Sequence, residues 1–285
     1  MRNIFLVVAL FVVIALLPVW AQAQNSRVGD SYFKRANERF AKGDVEGAIA
    51  DFGVAIMADP LLAMAYNNRG IARERSGDTA AAIADYTKAI EINPRLSEAL
   101  ANRCKLRLAQ RNLDGAIIDC NDAIMLNPRL AQAFDTRGSI RFEKGDLDGA
   151  IADYNDAVAI NPKLAEPFSN RGAVRRARGD LDGALADYNR SIKVNPRLPN
   201  TYHNRGNVSR EKGRLEEAIA DFDEAIALNP NLAISYASRG FIRLLQGRDG
   251  EAERDFARCL VLNANLKPYI EDGIRRARHE IESRE

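Results

Sequence analysis

The sequence is poor in the residues from which most active sites are built. Among 285 residues there are two histidines and three cysteines, and aromatics make up only 7%. No CxxC pair, HExxH run, GxxxxGKS/T loop or GxSxG elbow occurs. Their absence removes the usual zinc and dithiol sites, zinc-protease helices, phosphate-binding loops and hydrolase nucleophiles. Neither sign of charge dominates: 41 Lys and Arg against 39 Asp and Glu leave +2. Such a balance is not built to neutralise phosphates, so no nucleic-acid partner is expected. His203 and His279 stand singly, without Cys, Ser or His at ligand or triad spacing. No catalytic residue, metal ligand or cofactor is therefore assigned, and the chain reads as non-enzymatic. Its 46% hydrophobic and 28% charged composition is that of a globular chain.

Residues 1–23 read as a signal peptide. Arg2 supplies the positive start, Ile4 to Leu17 is a 14-residue run without a polar side chain, and Pro18 breaks it. Ala21-Gln22-Ala23 gives the small-x-small pattern that precedes cleavage. The run falls short of the ~20 residues that span a bilayer. Cleavage after Ala23 is expected, with a retained anchor as the alternative. Gln24 would then lead the mature chain, so neither a lipid anchor nor a stable membrane anchor is expected. The chain is expected to be exported, periplasmic or secreted, where disulfides persist.

The remainder is periodic. Asp59-Pro60 returns as Asn93-Pro94, Asn127-Pro128, Asn161-Pro162, Asn195-Pro196 and Asn229-Pro230, then as Asn263-Ala264, at a step of 34 residues. Gly70, Gly77, Ala82, Tyr86, Ala89 and Pro94 recur as Gly138, Gly145, Ala150, Tyr154, Ala157 and Pro162. The pattern resembles the tetratricopeptide repeat family. The resemblance implies an all-α fold, an α-solenoid wound as a right-handed superhelix. Seven helix–turn–helix units are expected at 29–62, 63–96, 97–130, 131–164, 165–198, 199–232 and 233–266. They follow a short lead-in at 24–28.

The unit can be built from its residues alone. In 63–96, Gly77 suits the left-handed end of a first helix and Asp78 caps a second. Asn93 before Pro94 ends the second, because the residue before proline is pushed out of the α region. Helices of about 12–15 residues are unstable alone, so each unit must bury a face on its neighbours. Residues 267–285 carry Tyr269, Ile270, Ile274, Ala277 and Ile281 at helical spacing and read as a capping helix.

Each unit carries an arginine where the family prefers an apolar residue: Arg35, Arg69, Arg103, Arg137, Arg171, Arg205 and Arg239. A second follows at Arg39, Arg73, Arg107, Arg141, Arg175 and Arg243, with Ser209 in the sixth unit. On the second helices stand Asp51, Asp85, Asp119, Asp153, Asp187, Asp221 and Asp255. Seven partly buried Arg–Asp pairs are expected, among them Arg69–Asp85, Arg137–Asp153 and Arg171–Asp187, since a buried charge needs a partner. An anion-binding arginine row is the alternative.

The third unit has Cys104 and Cys120 where others pair a small residue with a ring, such as Gly70 with Tyr86. Both departures occur together, so a disulfide is expected; two thiols filling one hole is the other reading.

In the resembled family the first helices line a concave groove. The wheel places Asn68, Asn102, Thr136, Asn170, Asn204 and Ser238 on that side, with Arg75 and Lys105. Amides offer both donor and acceptor, so this column suits the backbone of an extended peptide. Long grooves of the family use asparagine ladders in that way; a merely soluble inner surface is the alternative. Phe241 and Leu245 form an apolar cluster near the end, an anchor if exposed; a seat for the capping helix is the alternative. The expected function is a non-catalytic scaffold holding a protein or peptide partner. A self-associating homo-oligomeric array, or an accessory arm of an enzyme complex, are the alternatives.

Overall fold

The structure, a computed structural model, describes residues 27–283, so the expected signal peptide lies outside it. Among the described residues every element is helical. By its internal contacts the chain divides into two compact units, one up to Thr136 and one from Arg137. The first unit holds α1 (27–41), α2 (Val45–Ala58), α3 (Ala63–Ser76), α4 (Thr79–Ile92), α5 (Ser97–Ala109), α6 (Leu113–Leu126) and the start of α7 (Ala131–Glu143). The second holds the rest of α7, then α8 (Leu147–Ile160), α9 (Glu166–Ala177), α10 (Leu181–Val194), α11 (Pro199–Glu211) and α12 (Leu215–Leu228). It continues with α13 (Ala233–Leu245), α14 (Asp249–Leu262), a short 3-10 turn at Ala264–Leu266 and α15 (Lys267–Glu282).

Local chemistry sets the hairpins. At the α3–α4 turn Gly77 adopts φ +90°, and Asp78 Oδ1 accepts from the Ala81 amide at 3.0 Å. Asp44, Asn112, Asp146 and Asp180 cap their helices in the same way. In the third hairpin the left-handed residue is Arg111 at φ +63°, a conformation that costs an L side chain about 1–2 kcal/mol. At the far end Asn93 is extended, φ −131° and ψ 92°, as the proline after it requires.

The two helices of a hairpin touch where a glycine meets a ring. A Cβ on Gly70 would lie 2.6 Å from Tyr86 Cε1, so no side chain fits there without a shift. The third hairpin solves the same contact covalently: Cys104 and Cys120 are fully buried, their Cα atoms are 5.5 Å apart, and a disulfide joins them. Each ring also reaches the following hairpin. Tyr86 packs on Leu106, Tyr154 on Val174, Tyr188 on Val208 and Phe222 on Ile242. Full burial of such a side chain contributes roughly 1.5–3 kcal/mol, which short helices need from their neighbours.

The C-terminal helix corrects one expectation. Phe241 is buried, packed on Phe256 and edge-on to Tyr269 at 5.5 Å. Leu245 is half-buried against the same cluster, which includes Ile270 and Ala277 of α15. Gly273 lets the α15 backbone lie directly against the Phe241 ring. These residues are therefore the seat of α15 and not an exposed anchor, because an apolar patch on α13 is covered by the apolar face of α15.

Candidate partner-binding site

The arginines that mark each unit are pinned to a buried aspartate across the hairpin; six are 12–26% exposed, and Arg35 in the first hairpin is 49% exposed. Arg69 Nε and Nη2 donate to Asp85 Oδ2 and Oδ1 at 2.9 and 2.7 Å. Arg137 makes the same fork on Asp153 at 3.0 and 2.7 Å, and Arg171 on Asp187 at 2.9 and 2.6 Å. Arg35, Arg103, Arg205 and Arg239 grip Asp51, Asp119, Asp221 and Asp255 likewise. The aspartates are buried, and the Arg35 guanidinium holds the Asp51 carboxyl below the usual carboxylate range. These guanidiniums are spent on structure, so they do not form an open anion row.

The amide column is described unit by unit. In the first unit Asn68 and Asn102 are half-exposed on α3 and α5. They are joined through Asn67, which the spacing does not place in the column, and the chain of amides ends on Asn37. Asn102 Nδ2 donates to Asn67 Oδ1 at 3.2 Å, Asn67 to Asn68 at 3.1 Å, and Asn68 to Asn37 at 2.9 Å. Thr136 is half-exposed on α7. The two basic residues are exposed but engaged: Lys105 Nζ meets Glu74 at 2.6 Å, and the Arg75 guanidinium lies 5.3 Å over the Phe40 ring.

In the second unit Asn170 and Asn204 are half-exposed on α9 and α11. Asn170 lines a cavity of about 170 Å³ with Glu166, Ser169, Leu198, Pro199 and Asn200. Ser238, placed in this column by its spacing, is instead 3% exposed; its short side chain does not project past its neighbours on α13. His203, on the same helix as Asn204, is held by its neighbours. Its Nδ1 meets Ser235 Oγ at 2.9 Å, Asn207 Nδ2 meets its Nε2 at 2.9 Å, and its ring sits 5.4 Å from that of Phe222. Burial, helped by Arg176 and Arg210, pushes its pKa down to about 4. A neutral ring with both nitrogens engaged is a positioned packing group, and Asn207-Val208-Ser209 is buried within the same helix.

Among the described residues no three His, Cys, Asp or Glu side chains gather as metal ligands would, and no helix is long and apolar enough to cross a membrane. A TPR repeat model matches residues 138–175, 172–209 and 206–247, and a tetratricopeptide repeat model matches 63–96, together just over half of the chain. The chain belongs to the tetratricopeptide repeat family. No curated protein sequence matches it. Solved structures of tetratricopeptide repeat type share its fold. One, a tetratricopeptide repeat protein from Parabacteroides merdae, is 22% identical over 88% of this chain and 99% of its own, with a TM-score of 0.65. A chain of the APC/C hetero-tetramer Cut9-Hcn1 is 16% identical over 91% of this chain and 48% of its own, with a TM-score of 0.73. PilF of Pseudomonas aeruginosa is 15% identical over 73% and 94%, with a TM-score of 0.63. Tetratricopeptide repeats serve in general as protein-interaction scaffolds and are in general non-catalytic.

Proposed function

We propose that the chain is an exported scaffold whose first-helix faces hold an extended segment of a protein partner. The observation that carries this reading is the half-exposed amide column, Asn68 and Asn102 in the first unit and Asn170 and Asn204 in the second. A primary amide has two N–H donors and a two-lone-pair oxygen, so it can pair with a peptide group without reading the side chain beside it. The bonds Asn68 and Asn102 make within the column leave further donors and lone pairs for such a strand. The cavity at Asn170, between Leu198, Pro199 and Glu166, is of a size for one side chain of the bound segment. Export is supported by the apolar run Ile4 to Leu17 with its Ala21-Gln22-Ala23 site, and by a disulfide within the array.

Site-specific photo-cross-linking in intact cells tests the reading. A benzophenone side chain at Asn200, beside the column, is compared with one at Val261, an exposed residue of α14. Adducts at 200 that are absent at 261 are the expected result. Adducts at neither position, or equally at both, count against it. An adduct of twice the chain's mass would favour the self-associating array instead.

A further inference from the structure

Six of the seven hairpins set two arginines on one aspartate. Arg73, Arg107, Arg175 and Arg243 donate from Nη1 to the aspartate Oδ2 at 2.8, 2.7, 2.8 and 2.8 Å. Arg39 and Arg141 make the same contact at 3.1 and 2.9 Å. In four hairpins that nitrogen also donates to a main-chain carbonyl at the start of the second helix, as Arg107 does to Gly115 at 3.2 Å. The sixth hairpin has Ser209 at this place.

The acceptors remain where the arginine is missing. The seventh hairpin is the template: Arg243 reaches Asp255 through Nη1 and Glu251 through Nη2, the latter at 3.5 Å. Asp221 and Glu217 are the same two acids in the sixth hairpin, 34 residues earlier. Between them and Ser209 lies a cavity of about 340 Å³, also lined by Arg205, Arg214 and Asn189. Arg214 does not fill it. Its guanidinium turns to Glu217 at 3.6 Å, with 46% of the side chain exposed. Asp221 is accordingly the most exposed of the seven aspartates, its side chain 7% exposed against 2–4% for the others.

We propose that this cavity is a guanidinium-binding site. The guest takes the place that a second arginine occupies in the other hairpins, donating to Asp221, to Glu217 and to the Glu217 carbonyl. A planar fork matches acceptors spread around one plane, whereas a point-like ammonium engages fewer of them at once. The charge balance allows it, because Arg103 and Arg107 already share the single carboxylate of Asp119 in the third hairpin. The guest is an arginine side chain of a partner or a small guanidinium compound. The site shares no residue with the amide column and stands apart from the function proposed for it.

The experiment is an amide-resolved NMR titration of the mature chain with methylguanidinium chloride, against methylammonium chloride at equal ionic strength. Saturable shifts centred on Ser209, Glu217 and Asp221 are expected, about tenfold weaker with methylammonium. Ser209→Arg places a guanidinium in the cavity from within; it should abolish the shifts and raise Tm. Glu217→Gln, which keeps the fold whatever Ser209→Arg does, should weaken binding about fivefold, since a charge-assisted bond is roughly twice a neutral one. Binding of acetyl-Gly-Arg-Gly-amide well above methylguanidinium identifies a partner's arginine, and equal binding identifies a small guanidinium compound. Shifts that do not saturate, that are equal with methylammonium, or that survive Glu217→Gln unchanged overturn the proposal.

Discussion

Arg171 and Asp187 close on each other across one hairpin, Nη2 to Oδ1 at 2.6 Å, with 12% and 4% of their side chains exposed. Arg175 adds a third charged donor to the same carboxylate at 2.8 Å. Asp187→Ala leaves two guanidiniums in the hairpin without their counter-charge, and the expected loss is about 3–5 kcal/mol in urea unfolding. Replacing Arg171, Arg175 and Asp187 together by Met, Met and Leu should cost far less, because no charge is stranded. A loss below ~1 kcal/mol for Asp187→Ala, as exposed pairs show, would contradict the buried-pair account.

The Cys104–Cys120 bridge joins positions 16 apart in sequence and encloses the strained Arg111. Cys104→Ser with Cys120→Ser should cost about 3 kcal/mol in the chain-entropy account. Cys104→Gly with Cys120→Tyr restores the pair found at Gly70 and Tyr86 and should recover part of that loss. In unreduced, denatured protein one thiol should titrate, that of Cys259, which is free and buried in the folded chain. Three thiols would refute the bridge.

His203 gives the array a dependence on acid. Its pKa is lowered to about 4 in the folded chain, while an unfolded histidine titrates near ~6.5. Between these values the unfolded chain binds a proton that the folded chain does not. Stability from this group is therefore full above about pH 6.5 and is lost as pH falls toward 4. Tm measured across that window should fall less steeply in His203→Gln than in the wild-type chain.

What the sequence shows and what it hides have a common physical cause. The Arg–Asp pairing can be read from Arg171 and Asp187 because a short turn fixes the relative height of two helices in one hairpin. Cys104 and Cys120 can be read because both departures fall at one close contact. The burial of Phe241 beneath α15 cannot, since its spacing is the same whether α15 covers it or not. The amides of Asn37 and Asn67 enter the column through bonds between successive hairpins, such as Asn68 to Asn37, which the rotamers decide rather than the period. His203 lies hidden for the same reason: its partner Ser235 stands 32 residues away on the next first helix.

Whether the amide column holds a partner's backbone is tested most directly by recovery of photo-cross-linked partner with a chain in which Asn102, Asn170 and Asn204 are all changed to Ala, at matched expression and unchanged Tm. Each lost neutral hydrogen bond removes about 0.5–1.5 kcal/mol, so the three together should cut recovery at least about tenfold for every partner captured. Recovery equal to that of the wild-type chain would show that the asparagines are only a soluble inner surface.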